Sequence, residues 1–148
     1  MANHDNSWYK DLVVYQIWCR SFKDGNGDGI GDLRGIINRL DYLNDGDPLS
    51  GLSLGVEGLW LTPVFSSPSY HKYDVTDYYT IDPDFGTMED LRELVEKCHQ
   101  RDMLVILDLP INHTGDRNRW FKNFCNAHLM QNPANAYYDF YAWAAYGD

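Results

Sequence analysis

The sequence predicts an α/β fold built on parallel β-strands, and two features of its apolar pattern predict it. Three short runs rich in β-branched, leucine and aromatic residues are each typical of a strand, at 12–18, 56–61 and 103–107. Apolar residues at helical spacing lie between the first and second runs, and again between the second and third. The order β, α, β, α, β is typical of parallel strands joined by right-handed helical crossovers.

The first β/α unit begins with the run Leu12–Trp18, which we interpret as a strand. A glycine-rich loop follows at 24–32, and Asp32 at its end can cap a helix. Five apolar residues then predict one helix that ends near 44–46: Leu33, Ile36, Ile37, Leu40 and Leu43.

The second unit begins with a strand at Val56–Leu61, which Pro63 stops. A long loop is predicted from Ser66 to about Gly86, and loops of that length are usually functional. Thr87 can cap the next helix, with Asp90 placed for a capping box. The inward stripe of this helix is Met88, Leu91, Leu94, Val95 and Cys98.

The third strand, Met103–Leu107, is a continuous apolar run, which predicts a strand buried on both faces. Three polar residues follow it: Asp108, Asn112 and His113. In parallel α/β folds, ligands bind at this end of the strands. Taken singly, Asp108 is typical of a turn and His113 of a hydrogen-bonded loop residue, but together with Asn112 they predict an active-site strand.

The chain beyond the third strand predicts less regular structure. A short helix is predicted at Trp120–Cys125, and the aromatic-rich residues 132–148 are predicted to be irregular. Three parallel strands are too few for a barrel, which needs about eight strands and about 250 residues. An open sheet of this kind would expose apolar edges, so the sequence predicts the beginning of a larger fold.

Composition and charge exclude several classes of function. The net charge of −10 argues against nucleic acid or an anionic membrane surface as a partner. An acidic glycine-rich turn would also repel the phosphates of a nucleotide. The cysteines, Cys19, Cys98 and Cys125, are odd in number and lack metal-ligand spacing, which predicts free thiols. No apolar run matches a signal-peptide core or a membrane span, so we expect a cytoplasmic protein.

The acidic loop at 24–32 predicts a cation site. Its oxygen donors are the side chains of Asp24, Asn26, Asp28 and Asp32 and the carbonyl of Ile30. Hard divalent cations bind about six to eight oxygens, so Ca²⁺ is predicted, with Mg²⁺ as the second choice. The loop is not an EF-hand because Gly35 stands where that motif has glutamate. The alternative is a solvated turn in which Asp32 only caps the helix.

The segment Tyr70–Tyr78 predicts a surface that can bind a sugar. Tyrosine can stack on a sugar ring, and His71 can donate to sugar hydroxyls. The alternative is that these rings pack over the core while Asp74 and Asp77 form turns or helix caps.

Four segments in this order resemble the N-terminal part of the α-amylase family of glycoside hydrolases, family 13: Leu12–Phe22 with the acidic loop, Gly58–Phe65, Tyr70–Tyr79 and Asp108–His113. The resemblance implies a (β/α)8 TIM barrel whose first three β/α units occupy residues 1–113. It further implies that an inserted domain B begins at residues 114–148. The implied substrates are starch-type α-glucans or malto- and isomalto-oligosaccharides.

The resemblance also implies roles for single residues. Tyr73 matches a tyrosine that stacks on the glucose before the scissile bond, and His71 and His113 match histidines of the same subsite. Asp108 matches the aspartate that organises the site. The donors of the acidic loop match a calcium loop of oligo-1,6-glucosidases, and Asn112 matches a calcium ligand of many α-amylases. The choice between α-1,4 and α-1,6 linkages stays open.

The catalytic pair of a retaining glycosidase is missing from these residues. Such enzymes need two carboxyl groups about 5–5.5 Å apart, a nucleophile and an acid/base. In the family they follow later strands of the barrel, and Glu57 precedes its strand and would lie at the wrong end. We therefore expect the 148 residues to be inactive without the remainder of the barrel. The alternative is a non-catalytic module that binds a cation or a carbohydrate, or one half of a split barrel.

Overall fold

The computed structural model describes residues 8–144, and these residues form two compact units. One unit holds the residues up to Val64 together with Thr80–Leu109, and the other holds Phe65–Tyr79 and the residues from Pro110 onward. The domain boundary predicted between residues 113 and 114 stays a prediction. The last four residues of the predicted irregular tail lie outside the described residues.

The elements follow the predicted alternation of strands and helices. In chain order, the strands are β1 (Val14–Ile17), β2 (Gly58–Leu61), β3 (Phe65–Ser66), β4 (Asp77–Ile81) and β5 (Leu104–Leu107). The helices are α1 (Cys19–Phe22), α2 (Leu33–Ile37), α3 (Leu40–Leu43), α4 (Met88–His99) and α5 (Arg119–Leu129), after a 3₁₀ turn at Trp8–Asp11. No helix within residues 8–144 has the length and apolar character needed to cross a membrane.

The first unit is built on a sheet of parallel strands in the order β1-β2-β5. The register aligns Tyr15 with Leu59, and Leu59 with Val105. This sheet confirms the three parallel strands that the sequence predicts, although each begins one or two residues later than expected. The helices lie against it through α4, which contacts both β5 and α2.

One face of this sheet is buried and the other is exposed in the described part of the chain. Successive residues of a strand point to opposite faces, so Leu59 and Leu61 are buried while Trp60 is 38% exposed. The prediction that the third strand is buried on both faces is wrong here, because Leu104 and Ile106 of β5 are 36% and 40% exposed. The physical reason is that helix α4 packs on one side of β5, whereas the other face of the sheet has no covering layer among the described residues of this unit.

The single helix predicted across 33–43 is two short helices, α2 and α3. They separate at Asn38 and Arg39, where the Arg39 N–H donates to the Ile36 carbonyl at 2.9 Å, the spacing of a 3₁₀ turn. The apolar pattern reports which residues are buried and does not require an unbroken helix. Its five members are indeed buried: Leu33, Ile36, Ile37, Leu40 and Leu43.

Helix α4 confirms both the predicted helix and its cap. The Thr87 hydroxyl accepts the Asp90 N–H at 3.1 Å, and the Asp90 carboxylate accepts the Thr87 N–H at 2.9 Å. These two bonds form a capping box that satisfies donors at the helix start. The three cysteines are free, as predicted, with Cys19 and Cys98 buried and Cys125 half-buried.

One strand, β4, lies inside the segment predicted as a loop. The prediction of a long loop at 66–86 is wrong at residues 77–81, which form β4. This strand pairs with β3 in a two-stranded sheet. The sequence of β4, Asp-Tyr-Tyr-Thr-Ile, has the aromatic and β-branched residues that strands favour. Its tyrosines fit a ligand-facing loop equally well, so the pattern alone does not reveal the strand.

Helix α5 is longer than the short helix predicted at 120–125. The Asn118 side chain caps it by accepting the Trp120 N–H at 2.8 Å. The predicted irregular tail then folds its aromatic rings onto this helix. The ring of Tyr138 stacks on His128 with centroids 4.0 Å apart, and Tyr141 lies 5.3 Å from Phe124.

Candidate functional site

The acidic loop of the first unit is held by hydrogen bonds from its own backbone. The Asp24 carboxylate accepts the N–H of Asn26 at 3.0 Å, of Gly27 at 2.6 Å and of Gly29 at 2.8 Å. The bonds from Gly27 and Gly29 are the main reason why the pKa of Asp24 lies below its usual value. Both glycines have φ of +90°, a conformation that side chains disfavour, so the loop requires glycine there.

The other predicted ligands of the loop also bond to its backbone. The Asn26 side chain accepts the Asp28 N–H at 2.9 Å, and Asp28 accepts the Ile30 N–H at 2.7 Å. Asp32 is buried and caps α2 by accepting the Gly35 N–H at 2.6 Å. The predicted helix cap at Asp32 is thus confirmed.

The donors of this loop suit a hard cation by type, although its carboxylates alone do not form a metal-binding group. Among residues 8–144, no group of three or more His, Cys, Asp or Glu side chains is arranged to hold a metal ion. The loop nevertheless offers only oxygen donors, which Ca²⁺ and Mg²⁺ prefer. A carboxylate has about four lone-pair sites, so Asp24 can bind a cation while it accepts three N–H bonds.

Asp108 lies where the sequence predicts, directly after β5 in the first unit. Its N–H donates to the Leu61 carbonyl at 2.9 Å, so the pairing of β5 with β2 continues to this residue. The side chain is half-buried. The carboxyl end of the edge strand therefore carries a carboxylate, as an active-site strand requires.

The second unit brings Tyr73, Asn112 and His113 together. The His113 Nε2 lies 3.0 Å from the Tyr73 carbonyl oxygen, and its Nδ1 lies 2.7 Å from the Asn112 side-chain nitrogen. Because an amide nitrogen can only donate, the Nδ1 of His113 accepts and its proton is on Nε2. The ring Nε2–H of His113 therefore donates to the Tyr73 carbonyl, and Tyr73 lies 40 positions earlier in the chain.

His71 lies beside Tyr73 on the same surface. The two ring centroids are 6.0 Å apart, and the His71 Nδ1 accepts the Tyr73 N–H at 3.1 Å. This bond places the proton of neutral His71 on Nε2. Tyr73 is 38% exposed, and His71 and His113 are also exposed. We call these three residues the His71/Tyr73/His113 cluster.

A buried lysine lies between the two exposed rings of this loop. Lys72 has φ of 64° and is 4% exposed, and its ammonium group donates to the Ser67 carbonyl at 3.2 Å. The left-handed backbone turns the Lys72 side chain inward while its two neighbours stay exposed. The loop is therefore shaped to present His71 and Tyr73 to solvent.

A hydrogen-bonded network behind His71 is not evident from the sequence. The Ser67 hydroxyl donates to the Asp74 carboxylate at 2.5 Å, and the Ser69 hydroxyl donates to the same carboxylate and lies 3.2 Å from His71 Nδ1. Burial works to raise the pKa of Asp74, but the two hydroxyl donors outweigh it and hold that pKa below its usual value. Asp74 is therefore an ionised anchor of this loop. The two serines that donate to Asp74 lie two residues apart, a spacing too common in sequences to predict this network.

The sequence from residue 16 to residue 147 matches the family model of the α-amylase catalytic domain. This chain belongs to the α-amylase family. The match confirms the resemblance to the N-terminal part of family 13 glycoside hydrolases. The fold of that family is a TIM barrel, and the parallel β1-β2-β5 sheet agrees with it.

The relatives of this α-amylase family chain are much longer than the chain itself. α-Amylase 3 of Dictyoglomus thermophilum is 42% identical over 141 residues, which are 95% of this chain and 26% of that protein. The oligo-1,6-glucosidase of Bacillus cereus is 46% identical over 140 residues, which are 94% of this chain and 23% of that protein. The crystal structure of the α-amylase from H. orenii matches with a TM-score of 0.84 at 57% identity, covering 90% of this chain and 26% of that one. The chain spans about a quarter of the length of these relatives.

Proposed function

We propose that this chain contributes the N-terminal part of a retaining hydrolase of α-glucosidic bonds. The proposed substrates are starch-type α-glucans or malto- and isomalto-oligosaccharides. The observation that carries the proposal is the His71/Tyr73/His113 cluster, because three residues expected in one sugar subsite lie in one hydrogen-bonded group. The names of the relatives, an α-amylase and an oligo-1,6-glucosidase, support the substrate class.

Each member of the cluster has a proposed role at the sugar. Tyr73 stacks its exposed ring on the glucose, since tyrosine combines an apolar face with a polar edge. His71 carries its proton on Nε2, and this N–H donates a hydrogen bond to a sugar hydroxyl. His113 is exposed, so it can turn its Nε2–H from the Tyr73 carbonyl to a sugar hydroxyl.

Asp108 supports the chemistry without performing it. Two carboxyl groups must flank the bond that a retaining glycosidase cleaves, and the sequence offers no glutamate partner for Asp108 at a strand end. We expect the 148 residues to be inactive alone and to act with the remainder of the barrel. Residues 1–113 would form its first three β/α units and residues 114–148 the start of domain B.

The exposed face of the β1-β2-β5 sheet favours this proposal over a free-standing binding module. Apolar side chains such as Trp60 and Ile106 are 38% and 40% exposed on that face in the described part of the chain. The interior of a barrel would remove them from water. A self-sufficient module would leave them uncovered, which is a liability for solubility. The cytoplasmic location stays a prediction.

We further propose that the acidic loop binds Ca²⁺, with Mg²⁺ as the alternative ion. Asp24, Asn26 and Asp28 would supply side-chain oxygens and Ile30 its carbonyl. Asp32 would contribute its second oxygen, which accepts the Gly25 N–H at 3.1 Å while the first accepts the Gly35 N–H. Asn112 is the proposed ligand of a separate calcium. The lowered pKa of Asp24 supports the proposed site in the acidic loop, because it keeps this carboxylate charged.

A chimera tests the proposed function. Residues 8–144 replace the matching segment of the H. orenii α-amylase, which supplies the remaining barrel strands. We expect the folded chimera to hydrolyse maltoheptaose, whereas the 148-residue chain alone gives no product above the blank.

The matched variants of the chimera are Tyr73→Ala and Tyr79→Ala. Tyr79 is 77% exposed and outside the cluster. We expect Tyr73→Ala to lower kcat/KM by at least about tenfold and Tyr79→Ala to leave it unchanged. A chimera that melts cooperatively and is inactive, or equal loss in both variants, would overturn the proposal.

A further inference from the structure

The hydroxyl of Tyr78 bonds to the chain on either side of Asn112. The oxygen lies 2.6 Å from the Pro110 carbonyl oxygen and 2.8 Å from the His113 carbonyl oxygen. A phenol has one proton to donate, so the two carbonyls share it. Residues 110 and 113 are thereby tied to a strand residue more than 30 positions earlier in the chain.

The ring of Tyr78 is itself fixed by its neighbours in the second unit. It stacks on Trp120, with centroids 5.7 Å apart and planes at 16°, and it lies 6.1 Å from the ring of Phe65. Burial, and next the nearby Tyr141, raise the pKa of Tyr78, so it stays protonated and remains a donor.

His113 is consequently held at two places. Its carbonyl accepts from Tyr78, and its Nε2–H donates to the carbonyl of Tyr73, which precedes Tyr78 by five residues. Both bonds join the segment that follows β5 to the segment that carries the predicted sugar-stacking ring. Removal of the Tyr78 bond would free the backbone of His113 while leaving the ring of Tyr78 in place.

We propose that Tyr78 is a positioning residue that holds the backbone of His113 beside Tyr73, so that the two side chains can contact the same sugar ring. The hydroxyl of Tyr78 acts through the backbone of residues 110–113 and does not touch the sugar. The identity of the ligand, an α-linked glucose oligomer, rests on the proposed function. The geometry between Tyr78, His113 and Tyr73 is a property of the sugar-free chain.

The test compares the 148-residue chain with its Tyr78→Phe and Tyr79→Phe variants by NMR. Phenylalanine at 78 keeps the stacked ring and removes only the hydroxyl. Tyr79 is 77% exposed and serves as the matched control. The reporter is the Nε2–H proton of His113, which is visible only while it is protected by its bond to Tyr73. We expect Tyr78→Phe to speed its exchange by about tenfold and Tyr79→Phe to leave it unchanged.

A purely structural role would lower the unfolding temperature without changing this signal in the folded state. Unchanged exchange in a folded Tyr78→Phe variant would therefore overturn the proposal. If that variant does not fold, the parent chain still tests the proposal. We expect its Tyr78 hydroxyl proton to exchange slowly and to show an NMR coupling to the His113 carbonyl carbon. Absence of that signal would also overturn it, and if the parent chain gives no folded spectrum, the same comparison is made in the chimera with the H. orenii α-amylase.

A titration with maltotriose separates the two proposals. We expect it to shift the His71 and Tyr73 signals of the parent chain and to bind about tenfold more weakly to Tyr78→Phe. Protected His113 exchange without any shift by maltotriose would support the positioning role and count against the proposed sugar site. Equal affinity of parent and variant, with altered exchange, would overturn the sugar-directed role of Tyr78.

Discussion

Gly35 in α2 lies against the carbonyl oxygen of Lys23 so closely that a Cβ built on Gly35 would be 1.8 Å from that oxygen. The Gly35 N–H also donates to the Asp32 carboxylate at 2.6 Å. Helix α2 therefore packs directly against Lys23, the residue that precedes the acidic loop. The neighbour is backbone and cannot rotate away, so any larger residue at position 35 forces α2 to move.

We expect Gly35→Ala to lower the free energy of unfolding by about 1–3 kcal/mol, because the helix must move away from Lys23. Thermal and urea unfolding measure the change. The control is Gly58→Ala, where the nearest atom is a side-chain methyl of Val14 at 3.1 Å. Equal unfolding temperatures for the two variants would show that the close contact does not constrain α2.

The capping box of α4 predicts a stability that depends on pH. Replacement of Thr87 by alanine removes the cap and should cost about 1 kcal/mol at neutral pH, whereas Thr87→Ser should cost less. Hydrogen bonds from Thr87, and then from Arg34, hold the pKa of Asp90 below its usual value. A carboxyl group with a lowered pKa stabilises the fold above its unfolded pKa, and the gain is lost as the pH falls through the folded pKa.

The difference in unfolding temperature between Thr87→Ser and Thr87→Ala should therefore narrow between about pH 5 and about pH 2. Calorimetry at both ends of that range measures it. A difference that is constant across the range would mean that the charge of Asp90 does not contribute to the cap.

The parts of the fold that were predictable from the sequence are those set by local pattern. The strand at 104–107 and the cap at Thr87 depend on adjacent residues, and both are confirmed. The exposure of Ile106 was not predictable, because an apolar run shows what a strand can bury and not what covers it. The break at Asn38 was missed because the spacing of buried residues survives a 3₁₀ turn.

The candidate site divides in the same way. The positions of Asp108 and His113 after β5 were predictable because both follow an apolar run, while their roles at a sugar stay predictions. The bonds from Ser69 to the Asp74 carboxylate and from Tyr78 to the His113 carbonyl were not, since neither hydroxyl groups nor their acceptors follow a periodic pattern. The sequence therefore indicates polar residues that follow a strand more readily than the hydroxyl groups that hydrogen-bond around them.

The three thiols should differ sharply in reactivity. Burial, and next the nearby Asp32, raise the pKa of Cys19 to about 12, and burial raises that of Cys98 to about 11. Since the thiolate is the reactive form, both should resist a thiol reagent at pH 8 in the folded chain. We expect one rapid equivalent, from the half-buried Cys125, and three equivalents after denaturation. Cys125→Ser should abolish the rapid phase and Cys98→Ser should preserve it, and two rapid equivalents would contradict the burial of the other two.

The acidic loop makes the last prediction, which concerns calcium. If the loop binds Ca²⁺ in the folded chain, millimolar calcium should raise the unfolding temperature by mass action. The pKa of Asp24 is lowered, first by the Gly27 N–H, so this carboxylate is charged at neutral pH, where the calcium effect is measured. Asp24→Asn should abolish the effect, whereas Asp116→Asn removes an exposed charge outside the loop and should retain it. A calcium response that is the same in both variants would show that the ion acts elsewhere, and no response in the parent chain would leave the loop as a turn held by its own backbone bonds.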